Sequence, residues 1–352
     1  MAHQTRLARY GDVATALALL GDHQLGRLVD AGQAVGSGIG GSTALLDIAG
    51  TPVFVKRIPL TDLERLPANV MSTANVFELP TYCHYGVVEY GAAGFGAWRE
   101  LAANTMTTDW VLTERSEAFP LMYHWRVLPG AAPLTEELVD IDRVVAYWHN
   151  SAAVRRRLDA LATASASVVL FLEHVPQRLD DWLAGQLAAG TVTEACAMVR
   201  RCLSADVAFM NTNGLLHFDA HFRNILTDGH RLYFADLGLA TSPRFDLSRD
   251  ERDFLALNAN HDAGYAAREL LNWIVANVVG IPGSPADRYD YLRRCAAGAH
   301  PVGAPAPIAE LISRYAPVAA IMNAFYWDVY GESRTTPYPA EEIARAIGAS
   351  AG

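Results

Sequence analysis

Two short segments hold residue types that can do chemistry together. Leu216-His217-Phe218-Asp219-Ala220-His221-Phe222-Arg223-Asn224-Ile225-Leu226 is followed by Tyr233-Phe234-Ala235-Asp236-Leu237-Gly238-Leu239-Ala240. A carboxylate on a tight loop, Asp219, can orient an attacking hydroxyl and accept its proton. The amide oxygen of Asn224, five residues later, and a second carboxylate, Asp236, can converge on a magnesium ion that bridges ATP phosphates. Ile225-Leu226 and Leu232-Tyr233-Phe234 flank Asp228-Gly229, a hairpin that places both acidic groups at neighbouring strand ends. The plain alternative is that Asp219 and Asn224 shape one turn and Asp236 caps another; the two motifs together at this spacing weigh against it.

The elements that position these groups are legible on either side. Residues 11–30 have leucines and valines at helical spacing and stop before Gly32, which predicts one helix. The apolar stretch 13–20 follows Asp12 and runs into Gly21-Asp22-His23 without a small-residue cleavage pattern, so it reads as helix and not as a signal peptide. Residues 34–43 are glycine-rich. Gly36, Gly38 and Gly41 form GxGxxG, whose bare backbone can approach phosphates closely. A dinucleotide-binding reading needs a helix directly afterwards; here strands follow, over 44–48 and 53–58, joined by a turn at Ala49-Gly50. Lys56 lies inside the second strand, where facing inward is costly unless it is paired; otherwise it is a solvated strand lysine. Residues 59–96 are irregular and longer than a normal connection, hence an insertion or a functional surface. Residues 95–106 predict a helix with Trp98, Leu101, Ala102 and Thr105 on one face. A strand over 119–128, helix over 134–163 and a buried strand over 168–172 come next. Beyond Leu179 helices dominate, with short strands around Ile225 and Tyr233, core segments at 273–276 and 311–322, and a Pro/Gly-rich surface loop over 280–306. The order is a β-rich part followed by a helical part.

With 352 residues, 51% hydrophobic and 19% charged, the chain can bury a substantial core in one large domain or two lobes. A formal net charge of -10 offers no general electrostatic reason to bind nucleic acid or an anionic membrane. Any ATP site must gather its positive charge locally. The four cysteines, Cys83, Cys196, Cys202 and Cys295, form no CxxC or other metal-ligand spacing, and a reduced, cytoplasmic setting is expected. No apolar run approaches the roughly 20 residues of a membrane helix.

The pattern HxDxxxxN from His217 to Asn224, followed by DxG from Asp236 to Gly238, resembles the protein-kinase-like superfamily. That superfamily includes Ser/Thr protein kinases and small-molecule kinases of the aminoglycoside and choline kinase type. The resemblance implies an α+β, bilobal fold: a helical extension over 1–32, a small β-rich N-lobe over 33–175 and a larger, mainly helical C-lobe over 176–352. It implies ATP and Mg2+ as cofactors, Asp219 as catalytic base, His217 as a structural residue of the catalytic loop, and Asn224 and Asp236 as magnesium ligands. Gly36, Gly38 and Gly41 resemble the glycine-rich loop, and Lys56 the strand lysine that contacts the α- and β-phosphates. Glu100 is the expected partner of Lys56, with Glu64 the alternative. Leu170-Phe171-Leu172-Glu173-His174-Val175-Pro176 looks like the hinge, where backbone groups of Glu173 and Val175 would hydrogen-bond adenine; the plain alternative is a core strand leaving the sheet.

The acceptor signals divide. Asp236-Leu237-Gly238, the glycine loop and the strand lysine resemble protein kinases, whereas small-molecule kinases more often have a second acid where Gly238 stands. His221 occupies a place where protein kinases usually have lysine, and it is the other titratable candidate on the loop. Thr241-Ser242-Pro243-Arg244 lacks an APE motif. The expected acceptor is a Ser/Thr hydroxyl of a protein or peptide, including lanthipeptide-type peptide modification. The alternatives are a small-molecule hydroxyl, for example on a cationic antibiotic, and a pseudokinase that binds nucleotide without turnover.

Overall fold

The computed structural model describes residues 3–38, 41–86, 93–281 and 284–351. It is mixed α+β, and the chain divides into two compact units: Met1–Val175 with Asp236–Arg252, and Pro176–Ala235 with Asp253–Gly352. Residues 236–252 therefore belong with the N-terminal unit, although chain order alone assigns them to the C-terminal part.

The first unit opens with two helices, α1 (His3–Ala18) and α2 (Asp22–Asp30), where one was expected. Gly21 interrupts them in an extended conformation, with its amide bonded to Gln24 Oε1. Both helices pack against the sheet and bury Val13, Leu17, Leu25 and Val29, so they are a layer of this unit and not an appendage. The sheet is antiparallel, in the order β1-β2-β3-β5-β4. Its strands are β1 (Gln33–Gly38), β2 (Gly41–Ile48), β3 (Thr51–Leu60), β4 (Met122–Pro129) and β5 (Ala166–Glu173). Between β3 and β4 lie α3 (Asp62–Arg65), a 3-10 turn at Thr81–His84 and α4 (Ala97–Leu112). The expected helix over 134–163 is three short ones, α5 (Glu136–Val139), α6 (Ile141–Tyr147) and α7 (Ala152–Ala162). Asp140 caps α6 through the Arg143 amide, and His149 and Asn150 adopt φ of 56° and 55°, which ends it.

A period of two puts Phe54, Lys56, Ile58 and Leu60 of the central strand β3 on one face. Ile58 and Leu60 share a core cluster with Ala97, Trp98 and Leu101 of α4 and with Val168, Leu170 and Leu172 of β5. Lys56 therefore points to the face that α4 covers. Helix α4 is buried well beyond one stripe, including Arg99, Glu100, Asn104, Thr107 and Thr108, whereas Thr105, expected on its inner face, is exposed.

The second unit has a small antiparallel sheet, β6 (Gln177–Arg178), β7 (Ile225–Thr227) and β8 (Leu232–Phe234), in that order. Helices α8 (Leu179–Ala188) and α9 (Val192–Thr212) precede β7. After β8 come α10 (Arg249–Leu257), which begins in the first unit, then α11 (His261–Asn277), α12 (Pro285–Ala296), α13 (Ala306–Gly331) and α14 (Ala340–Ala351). Helix α12 occupies the expected 280–306 loop, because Ser284 and Asp287 form a capping box and Pro285 suits the first turn. The β7–β8 connection runs over 228–231, with Asp228 Oδ1 accepting from the His230 and Arg231 amides at 3.0 and 3.1 Å. Among the described residues, no helix is long and apolar enough to cross a membrane.

The glycines of β1 and β2 are unequal. Gly41 sits at φ +118°, and a Cβ there would lie 1.9 Å from the Arg57 carbonyl oxygen, whereas a Cβ on Gly36 would meet nothing nearer than 3.9 Å. Gly41→Ala is expected to cost at least about 2 kcal/mol in denaturant unfolding, and Gly36→Ala less than about 1 kcal/mol.

Candidate functional site

The first unit holds a charge triad built around a buried lysine. Lys56 Nζ lies 2.6 Å from Glu100 Oε1 and 2.7 Å from Asp236 Oδ1. Lys56 and Glu100 are 5% and 4% exposed, while the Asp236 side chain is 45% exposed. Lys56 is the only lysine in the sequence; the other 27 of its 28 basic residues are arginine. An ammonium is a compact point charge, not interchangeable with a planar guanidinium. Burial alone would lower the Lys56 pKa, but Asp236 and Glu100 hold it above the ordinary lysine range. Burial also pushes the Glu100 carboxyl up, with Lys56 opposing. With all three ionised the triad has a net charge of -1, which suits a cation at its exposed Asp236 end.

Local structure aims each member. Helix α4 delivers Glu100 from its first turn. Asp236 adopts φ 57°, a left-handed conformation that costs a non-glycine residue about 1 kcal/mol or more. A Cβ on Gly238 would sit 3.2 Å from Glu100 Oε2 and 3.4 Å from Asp236 Oδ1, so the small residue leaves space between the two carboxylates. Glu64, the alternative partner, is engaged elsewhere. It accepts from the Ala97 amide at 2.8 Å, capping α4, and pairs with Arg157 at 2.8 Å. Burial would raise its carboxyl, but Arg157, Thr61 and Ala97 hold it below the ordinary range.

Gly36 and Gly38 lie in β1 and Gly41 opens β2, with Gly38 opposite Gly41; Ile39 and Gly40 lie outside the described residues. Thr43 bonds the Gly36 carbonyl at 3.0 Å and stands opposite Lys56 across the β2–β3 ladder. At the end of β5 the Glu173 carboxylate forms a bidentate ion pair with Arg6 of α1, at 2.9 and 2.6 Å. The Glu173 amide donates to Leu121 O at 2.7 Å, so that group is already engaged inside the unit. Val175 is buried and ends the first stretch of the unit.

The second unit holds the loop 217–224. Asn224 Nδ2 donates to both the backbone oxygen and the Oδ2 of Asp219, each at 3.0 Å. With those hydrogens used, Oδ1 is the Asn224 atom that can meet a cation. His217 is fully buried: its Nδ1 accepts from the Asp219 amide at 3.3 Å, so Nε2 bears the proton and donates to Ala235 O at 3.0 Å. That pins the loop to the residue preceding Asp236. His221 Nε2 stands 3.9 Å from Asp219 Oδ1, beyond hydrogen-bond reach. Its backbone shapes the turn, taking the Asn224 amide at 2.8 Å.

Asp262 of α11, which the sequence does not single out, holds this loop. Its carboxylate accepts from the His217 and Phe218 amides at 2.7 and 2.9 Å. Phe218 needs that hold: it sits at φ 63°, stacked on Phe254 and packed against His261. Asp262, flanked by His261 and Ala263, has no distinguishing spacing in the sequence. The solitary lysine, by contrast, is a signal that a simple residue count exposes. The sequence matches no protein-family model and no curated protein, so function must be argued from this geometry.

Burial would raise the Asp262 carboxyl, but His261 and the His217 amide hold it below its ordinary value. A depressed carboxyl contributes stability above its unfolded pKa and loses it as pH falls through the folded value. Asp262→Ala orphans two buried amides and is expected to cost about 3 kcal/mol at neutral pH. In denaturant titrations the gap from wild type should hold from about pH 5 to 8 and narrow below about pH 4.

Proposed function

We propose that this chain is an ATP- and Mg2+-dependent phosphotransferase of the protein-kinase-like type that moves the γ-phosphate of ATP to a hydroxyl. The observation that carries this is the only lysine of the sequence, buried between Glu100 and Asp236. In this reading the sheet unit is the N-lobe and the helical unit the C-lobe of a bilobal fold. Lys56 binds the α- and β-phosphates, and Glu100 holds its ammonium in place. Asp236 and Asn224 are the residues that would hold the metal, their carboxylate and amide oxygens being donors that suit a hard cation. When bound, that ion would neutralise phosphate charge.

Asp219 orients the acceptor hydroxyl and takes its proton at a carboxylate oxygen. The Asn224 amide fixes the carboxylate rotamer, and His217 holds the loop without entering the chemistry. Gly36, Gly38 and Gly41 cover the phosphates with backbone, and adenine meets the chain near Glu173 and Val175 through groups other than the Glu173 amide.

A second acceptor class is favoured by one observation. Thr241 and Ser242, directly after the Asp236 motif, are buried, so neither offers an accessible hydroxyl. This supports a small-molecule hydroxyl beside the peptide Ser/Thr expected from the sequence.

Transfer of labelled γ-phosphate from ATP should be followed into peptides and small molecules from the source cell. Wild type is expected to transfer label, while Lys56→Met and Asp236→Ala should abolish transfer, the latter removing the magnesium-dependent part of ATP affinity. Asp219→Asn should lower kcat by about 10²- to 10⁴-fold with ATP affinity within a few-fold. Tight ATP binding without any consumption by wild type would make the chain a pseudokinase, and absence of magnesium-dependent ATP binding would sink the proposal.

A further inference from the structure

The chain after Asp236 is attached to the sheet unit at a series of points. His84 Nδ1 bonds Leu239 O at 3.0 Å, with its ring stacked on Phe95 at 3.8 Å. The Asp246 amide donates to Thr73 Oγ1 at 2.9 Å. Arg99 Nη2 meets Glu251 Oε1 at 2.7 Å, and these side chains are 1% and 4% exposed. Arg99 Nε also donates to Thr73 O at 2.6 Å, and its guanidinium lies over Phe95, 5.3 Å from the ring centre. The second Glu251 oxygen accepts from the Ser248 amide at 2.9 Å, which ties the ion pair to the start of α10.

Arg99 immediately precedes Glu100 on α4. One turn of this helix therefore holds Lys56 with one residue and the chain downstream of Asp236 with its neighbour. A buried ion pair seldom adds net stability, because desolvation offsets the attraction, whereas breaking it by removing one partner is costly. Here the offset is visible: burial outweighs Glu251 and sets the Arg99 guanidinium below its ordinary value. What such a pair supplies is position. The hydroxyl-bearing residues of this chain segment are Thr241, Ser242 and Ser248. The first two are buried, whereas Ser248 is exposed and its hydroxyl accepts from the Glu251 amide at 3.2 Å, at the start of α10.

We propose that Arg99 and Glu251 form a positioning latch that fixes the chain after Asp236 to the helix bearing Glu100, so that the fold itself keeps the Lys56–Glu100–Asp236 triad assembled. Its purpose, though not its geometry, rests on the phosphotransfer proposal.

The solitary lysine makes a direct test possible. Acylation by an N-hydroxysuccinimide ester, read by mass spectrometry, reports Lys56 with the α-amine as internal reference, and a maleimide reports the buried Cys196 thiol of the helical unit. In wild type, Lys56 should acylate slowly. In Arg99→Met and in Glu251→Gln its rate should rise about tenfold or more, with Cys196 still protected. The double variant should label no faster than Arg99→Met, because both changes break one interaction. Wild-type rates in both single variants would overturn the latch. So would a rise seen only where Cys196 also becomes reactive, which would make the pair a determinant of folding alone. The labelling needs no nucleotide: a chain that binds no ATP yet shows the rise keeps the latch and loses the phosphotransfer proposal. Phosphate transfer by wild type with unaltered labelling in the variants has the reverse meaning.

Discussion

An ammonium buried in the middle of an antiparallel sheet is the constraint from which the rest of the first unit follows. Lys56 occupies a position on β3 that its neighbours Ile58 and Leu60 give to the apolar core, and only countercharge makes it tolerable there. Glu100 must therefore arrive on a helix laid across that face, and Asp236 on a chain returning from the other unit. Helix α4 in turn needs an anchored start, which Glu64 supplies by accepting the Ala97 amide while paired with Arg157. Each of these buried charged groups answers a need created by another.

The helical unit solves a different problem, holding a short polar loop in conformations that peptides avoid. Phe218 is left-handed and buried, and Asp262 meets its amide and that of His217 with a single carboxylate. His217 then extends the hold to Ala235, one residue before Asp236, itself left-handed. Strain at such positions persists only where surrounding contacts over-determine the backbone. Asp219 and Asn224, hydrogen-bonded to each other, are left half-buried at the surface of this loop, where a reacting group could reach them.

What the sequence determined by itself was local. The β-rich composition of 53–58 marked β3 and the residue types from Asp219 to Asn224 marked a tight loop, whereas the glycine-rich run read as a loop contains the strand Gln33–Gly38. These follow from backbone periodicity and turn geometry, which act over a few residues. Local signals failed where a break or a cap competes with an average: Gly21 divides the expected N-terminal helix, and the Ser284–Asp287 box starts α12 inside a stretch whose prolines and glycines suggested a loop. Only the tertiary structure decided which distant charges meet. Lys56 chose Glu100 over Glu64 across 44 positions and met Asp236 across 180, while Arg6 met Glu173 across 167 and Arg99 met Glu251 across 152. No periodicity encodes such pairs, because each depends on how a strand face, a helix turn and a returning chain come together in space, and buried charges accept only the partner that packing brings within reach.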